Sequence, residues 1–207
     1  MSVVSILDDI TVWAQKNICD KIQLKVPPED NADAVDGGYE YQLVAPTAFP
    51  LFVPAKDKVP PNVISPVPSL CVRILEGTDS LSGGGGSMKV QFMFSTWDVG
   101  LHGKDIFLRQ DDGSFVRYGD SEEGAAYFRR TGGGWRDAWN FVDVALRALE
   151  STTVLGDLEI DRGANVKYGP LSEQGNIPDF YPFWFAWIEF GVRYPIVRNV
   201  DDLEKYL

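Results

Sequence analysis

The stretch of sequence that decides the fold is PDFYPFWFAWIEFGV, residues 178–192, which holds seven aromatic side chains between Phe180 and Phe190. We interpret it as a β-strand, in which successive side chains point to opposite faces of a sheet. One face then carries Trp184, Ala186, Ile188, Phe190 and Val192. The other face carries Phe183, Phe185, Trp187, Glu189, Gly191 and Arg193. One hydrophobic core requires only one apolar face, so the second aromatic face needs another explanation.

The bulk composition predicts a folded protein. The chain has 207 residues, of which 44% are hydrophobic and 13% aromatic, enough to bury a sizeable core. This composition excludes a chain that is disordered throughout. We expect a single domain over residues 1–207, with excursions at 46–68, 78–87 and 106–118.

The chain is strongly acidic, with a formal net charge of −11 at pH 7. A protein that binds duplex nucleic acid needs Lys and Arg to replace the counterions of the phosphates, so this class is disfavoured. A negative surface promotes solubility. It also suits a wall past which a negative polymer must move without binding.

Three features bear on the compartment. Cys19 and Cys71 form no motif, and the sequence favours two buried thiols while leaving a disulfide open. No apolar run approaches the roughly 20 residues of a membrane-spanning helix. The first residues, MSVVSILDDITVW, lack a basic leader and carry Asp8 and Asp9, unlike a secretory signal. We expect a protein that acts in the cytoplasm or is released from it.

Helical periodicity dominates the N-terminal segment. Residues 2–20 are predicted to form a helix capped by Ser2, because apolar residues recur at helical spacing from Val3 to Ala14. A short alternating strand over residues 22–26 is expected to follow.

Residues 46–68 contain seven of the chain's 13 prolines. Proline lacks the amide hydrogen that helices and central strands require, so neither element is expected here. We interpret 46–68 as an extended arm that lies on the surface of this chain or of a neighbour.

Two alternating segments, SLCVRILEG at 69–77 and MKVQFMFSTWD at 88–98, are predicted strands. The Gly-rich loop 78–87 between them is either a natural hairpin tip or an engineered linker. It is a candidate docking loop that becomes ordered on binding, and the alternative is a tip without a role. The candidate docking residues are Ser82, Gly83, Gly84, Gly85, Gly86 and Ser87.

The second half of the chain adds a hairpin and a helix. Residues 106–118 are predicted to form a hairpin that turns at 111–113. The clearest helix is 135–150, and short strands are expected over 154–160 and 164–168. The apolar stripe of that helix is Trp135, Ala138, Trp139, Val142, Ala145, Leu146 and Leu149. The order of elements predicts an α+β fold, in which a mostly antiparallel sheet packs with the N-terminal helix and the helix 135–150, beside the Pro-rich arm.

Reactive groups are scarce. His102 is the single histidine, so a catalytic triad would depend on it alone. The glycines of FRRTGGGWRDAW precede a helix but lack the GK[ST] of a phosphate-binding P-loop. Asp30, Asp33 and Asp36 do not have the spacing of a calcium-binding EF-hand, and two cysteines alone do not make a zinc site. We predict no catalytic residue, no cofactor and no metal, and a protein that is not an enzyme.

One alternative function is a carbohydrate-binding module or a glycosidase that uses Trp184, Trp187 and Glu189. Sugars stack on Trp, and Glu189 lies among aromatic residues in the predicted strand. Glycoside hydrolysis requires a pair of carboxylates. With 30 acidic residues in the chain, one acid among aromatics is expected by chance, so this function ranks second.

Five segments together resemble a known family. They are SILDDITVWAQ, CVRILEG, VQFMFSTWDVG, WRDAWNFVDVALRAL and YPFWFAWIEFGV, in this order. Their layout is similar to that of the tail terminator, or tail completion, proteins of tailed bacteriophages and phage-tail-like bacteriocins. The resemblance is one of layout, without a diagnostic motif. The Pro-rich arm 46–68 and the hairpin 106–118 are additions relative to the small members of this family.

The resemblance implies a structural virion protein. Such a protein forms a hexameric ring on the head-proximal end of the tail tube, ends tube growth and offers a docking surface to the neck or connector. The implied partners are further copies of the chain, the tail tube protein, the neck or connector protein and, in contractile tails, the sheath. DNA passes through the lumen without specific binding. The implied location is the virion, after assembly in the host bacterial cytoplasm.

The second aromatic face has a place in this scheme. A closed ring joins two different surfaces of each subunit, so each subunit needs adhesive surface beyond its core. Phe183, Phe185 and Trp187 are therefore the candidate subunit interface. The alternative is that one of the two predicted helices covers them.

Overall fold

The computed structural model describes residues 2–28, 42–80, 84–98, 107–109, 111–117 and 133–195. These residues form an α+β fold with a mostly antiparallel sheet, as the sequence predicts. The helices are α1 (Val3–Asn17) and α2 (Trp135–Ser151). The strands are β1 (Leu24–Lys25), β2 (Leu43–Val44), β3 (Thr47–Pro50), β4 (Ser69–Asp79), β5 (Gly86–Trp97), β6 (Phe107–Arg109), β7 (Phe115–Arg117), β8 (Val154–Leu155), β9 (Leu158–Ile160), β10 (Lys167–Pro170) and β11 (Phe183–Tyr194).

The main sheet has the strand order β3-β4-β5-β11-β9-β8, and β10 also pairs with β11. Its pairings are antiparallel except that of β3 with β4, which is parallel. β11 pairs with β5 along its full length, from Phe183 opposite Trp97 to Tyr194 opposite Gly86. The aromatic stretch is therefore a central strand of the sheet.

Both described helices pack on one face of this sheet, α1 against β3 and β4, and α2 against β5 and β11. The rings of Phe94 and Phe141 meet edge to face, with centroids 4.8 Å apart. Phe92 contacts the rings of Trp13 and Phe190, at 6.5 and 4.9 Å. The core thus lies between the helices and the face of β11 that the alternation predicts.

Helix α1 begins with the predicted cap. The Ser2 hydroxyl accepts a hydrogen bond from the Ser5 amide, and the Ser5 hydroxyl accepts one from the Ser2 amide. Two amides that the helix leaves unpaired are thereby satisfied. The helix ends at Asn17, earlier than predicted, because the backbone turns at Ile18 into a short 3-10 segment. Neither α1 nor α2 has the length and hydrophobicity of a membrane-spanning helix.

The start of 46–68 forms β3, a strand at the edge of the main sheet, whereas the sequence argues only against a helix and a central strand there. An edge strand tolerates proline, because its outward side needs no amide donor. Gln15 of α1 closes this edge. Its side-chain oxygen accepts from the Ala48 amide at 2.8 Å, and its side-chain nitrogen donates to the Pro46 carbonyl at 3.2 Å. An edge closed in this way does not offer a template for a further strand.

Residues 51–68, which we call the crossover, connect β3 to β4. Because these strands are parallel, the chain must return from the end of one to the start of the other. Near the end of this return, Ile64 and Val67 border the same cavity of about 490 Å³ as Phe183. Phe183 lies on the face of the sheet opposite the core, so the crossover reaches that side of the molecule.

The hairpin of β4 and β5 is longer than predicted. β4 runs to Asp79 and β5 begins at Gly86, so Gly86 and Ser87 belong to a strand instead of the Gly-rich loop. Gly86 lies opposite Tyr194, and a side chain at this glycine would collide with the Tyr194 ring. The Tyr194 hydroxyl donates a hydrogen bond to the Asp79 carboxylate.

The hairpin predicted over 106–118 is present as β6 and β7, which form a separate two-stranded sheet. It belongs to an excursion that leaves the main sheet after Asp98 and returns at Gly134. The two ends of this excursion are adjacent, because a Cβ atom on Gly134 would lie 2.5 Å from the Asp98 carbonyl oxygen. Glycine is needed at this position because no side chain fits.

Candidate functional site

The face of the main sheet opposite the core is the candidate site, and we call it the second face. It carries the three side chains predicted as an interface, Phe183, Phe185 and Trp187, all of them half-buried. Both described helices pack on the other face. Helix α2 approaches the three side chains only at its start, where it borders a cavity shared with Phe183 and Phe185. The alternative expectation, that a helix covers this face, is therefore wrong for the described helices.

Parts of the same chain shield these aromatic rings incompletely. The Phe185 ring meets the Phe180 ring edge to face at 5.6 Å. The Trp187 indole N–H donates to the Pro170 carbonyl oxygen at 2.9 Å, and its ring lies over Gly169, where a Cβ atom would come within 3.3 Å. The second face is thus an aromatic surface that its own loops cover in part. Its role as a subunit interface remains a prediction.

A cavity of about 430 Å³ lies beside the start of β11, and we call it the aromatic pocket. Its large apolar side chains include Trp135, Trp139, Ile177, Phe180, Phe183, Trp184 and Phe185. Ile177 is 69% exposed, Phe180 48% and Trp135 47%. Exposed apolar groups around a concavity are typical of a binding surface. Sequence patterns do not reveal this pocket, because its walls come from α2, from the loop before β11 and from β11 itself.

The other half of the second face is polar. Glu189 forms an ion pair with Lys89 at 2.9 Å, and its hydrogen bond raises the pKa of the Lys89 amine. Arg193 pairs with Asp161, also at 2.9 Å. Glu189, Asp161 and Lys89 border a cavity of about 420 Å³. Each of these two acids has a basic partner, so this cavity presents compensated charges.

The three residues of the carbohydrate hypothesis do not come together. Trp187 and Glu189 share the second face, whereas Trp184 lies on the core side of β11 and packs against the core. The Trp184 indole N–H donates to the Asp98 carbonyl oxygen at 2.8 Å. A single sugar platform therefore cannot use both tryptophans.

An acidic pair joins the end of β5 to the start of α2, and the sequence gives no sign of it. Asp98 is 5% exposed and accepts a hydrogen bond from the Lys25 ammonium group. Asp137, in the first turn of α2, shares a hydrogen bond with Asp98. Burial, reinforced by the charge of Asp98, raises the pKa of Asp137 to about 6. No sequence pattern signals the pair, because the long excursion separates its members along the chain.

The candidate docking loop is described only in part. Gly84 and Gly85 lie at the tip of the β4–β5 hairpin, and Gly84 has a φ of 101°, which favours glycine. Gly86 and Ser87 lie in β5. Ser82 and Gly83 lie outside the described residues, and the docking role remains a prediction.

Of the remaining residues with reactive or metal-binding side chains, some lie within the described part of the chain and others outside it. Cys19 and Cys71 are free and buried, as the sequence favours, and burial raises the pKa of both thiols. His102 and the acidic residues Asp30, Asp33 and Asp36 lie outside the described residues. Among the residues that the structure describes, no three His, Cys, Asp or Glu side chains group together as metal ligands.

Comparison with known proteins does not identify a family for this chain. No protein-family model matches this chain. A search of curated proteins also finds no match.

Proposed function

We propose that this chain is a structural subunit of a bacteriophage tail or of a phage-tail-like bacteriocin. It acts as the tail terminator, which forms a ring on the head-proximal end of the tail tube, ends tube growth and offers a docking surface to the neck. The observation that supports this proposal most is the second face, where Phe183, Phe185 and Trp187 form an aromatic surface beyond the core. A subunit of a closed ring needs such additional adhesive surface.

The two ends of the main sheet differ, which favours a ring over a symmetric pair. The β3 edge is closed by Gln15, whereas the aromatic pocket lies at the opposite side, beside β10 and β11. A contact between unlike surfaces is heterologous, and heterologous contacts generate rings when the rotation closes. The proposed ring is a homohexamer.

The net charge of −11 fits a lumen through which DNA passes. Acidic walls repel phosphates and so do not retain the polymer. The further proposed partners are the tail tube protein, the neck or connector protein and, in a contractile tail, the sheath. The proposed role requires neither a catalytic residue nor a cofactor, and its location is the virion.

The direct test is to polymerise a tail tube protein from the same phage or bacteriocin, with and without the purified chain. We expect shorter tubes, each with a six-fold ring at one end in averaged electron micrographs. Tubes of unchanged length with bare ends would contradict the proposal. Bovine serum albumin at the same concentration controls for crowding.

A further inference from the structure

One side of the molecule presents a concave aromatic surface. The aromatic pocket is open to solvent along Trp135, Ile177 and Phe180. The Arg136 guanidinium lies over the Trp135 ring, 5.4 Å from its centroid. Asp179 also borders the pocket. The pocket therefore suits an apolar anchor, and its surroundings carry one charge of each sign, with Asp179 on the loop before β11 and Arg136 on α2.

The crossover presents an apolar anchor of this kind. Phe52 is 69% exposed, the highest exposure of the aromatic residues that the structure describes. It follows Leu51, whose φ of 64° is uncommon for a residue other than glycine. The Phe52 amide donates to the Pro50 carbonyl at 2.8 Å, and the Leu51 amide donates to the Val72 carbonyl at 2.8 Å. A strained turn that is fixed by two hydrogen bonds and directs an aromatic ring into solvent suggests a functional constraint.

Phe52 and the aromatic pocket lie toward opposite edges of the main sheet. Phe52 follows β3, at one edge, and the pocket lies beside the start of β11 near the other edge. β4 and β5 separate the two, so the distance across the sheet is roughly 15 Å at about 4.8 Å per strand. Phe52 does not border the pocket of its own chain. Phe52 can therefore enter an aromatic pocket only if that pocket belongs to a second copy of the chain.

The acidic loop on one side of the pocket complements the charge of the crossover, whereas Arg136 on α2 does not. The crossover carries Lys56 and Lys58 with one acid, Asp57, and the Lys58–Asp57 contact at 3.4 Å is exposed. The loop 171–180 beside the pocket carries Glu173 and Asp179 and no basic residue. Charges of opposite sign around an apolar anchor fix the register of a contact and accelerate its formation.

We propose that the aromatic pocket of one copy receives Phe52 of a second copy, with Lys56 and Lys58 facing Asp179. This inference rests on the proposed function, because it names the contact by which subunits of the ring adhere. It joins two unlike surfaces, so each copy donates one anchor and receives another. The proposed contact is made by side-chain insertion and does not use the β3 edge, where Gln15 already bonds the Ala48 amide and the Pro46 carbonyl.

The test uses two variants of the full-length chain, Phe52→Asp and Phe180→Asp. Both residues are exposed, so each variant is expected to fold, with the same circular dichroism spectrum as wild type. Light scattering should show that the concentration for half-association rises roughly thirtyfold in each variant, as for an anchor residue. Val12→Asp, an exposed apolar position on α1, is the matched control and should associate like wild type.

Mixing the two variants gives the decisive result. The Phe52→Asp copy keeps an intact pocket and the Phe180→Asp copy keeps an intact anchor, so the mixture should form pairs of one copy each and nothing larger. Variants that associate like wild type, or that do not pair when mixed, would overturn the contact. A wild-type chain that stays monomeric up to its solubility limit would overturn it too.

The same variants separate this contact from the proposed function. A Phe52→Asp chain that still forms rings on tail tubes overturns the contact and leaves the tail terminator role intact. A wild-type chain that associates through Phe52 but leaves tubes uncapped supports the contact and contradicts the role.

Discussion

Phe180 and Phe185 meet edge to face with their ring centroids 5.6 Å apart, and Phe180 remains about half exposed. The loop before β11 therefore folds back beside the second face and covers Phe185 only in part. The exposed Phe180 ring lies beside the half-buried Phe185 ring, so the two together extend the aromatic surface toward solvent. An exposed aromatic surface of this kind is typical of an interface between copies.

Phe185→Asp is expected to abolish self-association while the chain still folds. The charge would be desolvated at a contact between copies, which is unfavourable without a partner. Light scattering measures the association, and thermal unfolding followed by circular dichroism measures the fold. Val12→Asp serves as the control here as well, and a Phe185→Asp chain that unfolds would show that the second face is core.

The free energy of unfolding is expected to fall as the pH rises through about 6. A carboxyl whose pKa is raised in the folded state binds its proton more tightly there than in the unfolded chain. The contribution of Asp137 is complete below its ordinary value of 3.8 and is lost as the pH rises through about 6.

Asp137→Asn should remove this loss, because the amide stays neutral at every pH. At pH 8 we expect the variant to be more stable than wild type by about 1–3 kcal/mol, at 1.36 kcal/mol per pKa unit. The difference should become small near pH 4. Urea unfolding across this range measures it, with the exposed Asp143→Asn on the same helix as control. Identical pH profiles for wild type and Asp137→Asn would refute the assignment.

Gly134→Ala is expected to destabilise the fold by about 1–3 kcal/mol, the usual cost of overpacking. The new methyl group would lie 2.5 Å from the Asp98 carbonyl oxygen and 2.9 Å from the Trp184 indole nitrogen. A backbone carbonyl and a partly buried ring that packs against the core cannot move aside easily. Gly77→Ala is the matched control, because its methyl group would lie 3.5 Å from the Met88 side chain, in ordinary contact. Equal urea midpoints for the two variants would contradict this prediction.

Gln15→Ala should open the β3 edge. It removes three hydrogen bonds, with the Ala48 amide, the Pro46 carbonyl and the Asp20 carboxylate, and leaves the Ala48 amide without its acceptor, at a cost of about 1–3 kcal/mol. An uncapped edge also promotes pairing between chains, so turbidity on mild heating should increase. Lys16→Ala, an exposed change one residue away, is the control. A Gln15→Ala chain that matches this control in both measurements would show that the cap is dispensable.

The alternation of the aromatic stretch is sufficient to place the side chains of β11 on the correct faces. A period of two depends only on local backbone geometry, so tertiary packing does not alter it. The helical stripe of α2 is predicted less completely. It includes Ala138, Val142 and Ala145, which are buried, but it omits Phe141, which is fully buried against Phe94. It also includes Trp135, which the first turn of the helix carries into the wall of the aromatic pocket.

Features that depend on neighbours are beyond a single sequence. Proline content argues against a central strand in 46–68 but does not predict the edge strand β3, whose outward Ala48 amide is satisfied by Gln15 from α1. The pair of Asp98 and Asp137 requires two distant elements to meet. The aromatic pocket likewise requires three separate segments, so the sequence names Phe183, Trp184 and Phe185 as candidate site residues without indicating that they border one cavity.

The adjacency of Asp98 and Gly134 determines where the length of this chain can change without disturbing the main sheet. The chain between Asp98 and Gly134 leaves and rejoins the fold at a single point, because a Cβ atom on Gly134 would lie 2.5 Å from the Asp98 carbonyl oxygen. Recombination can exchange such a cassette for a shorter or longer one without altering the register of any strand in the main sheet. Relatives of this chain are therefore expected to diverge most in length and sequence between these two residues, and to keep the glycine at the junction.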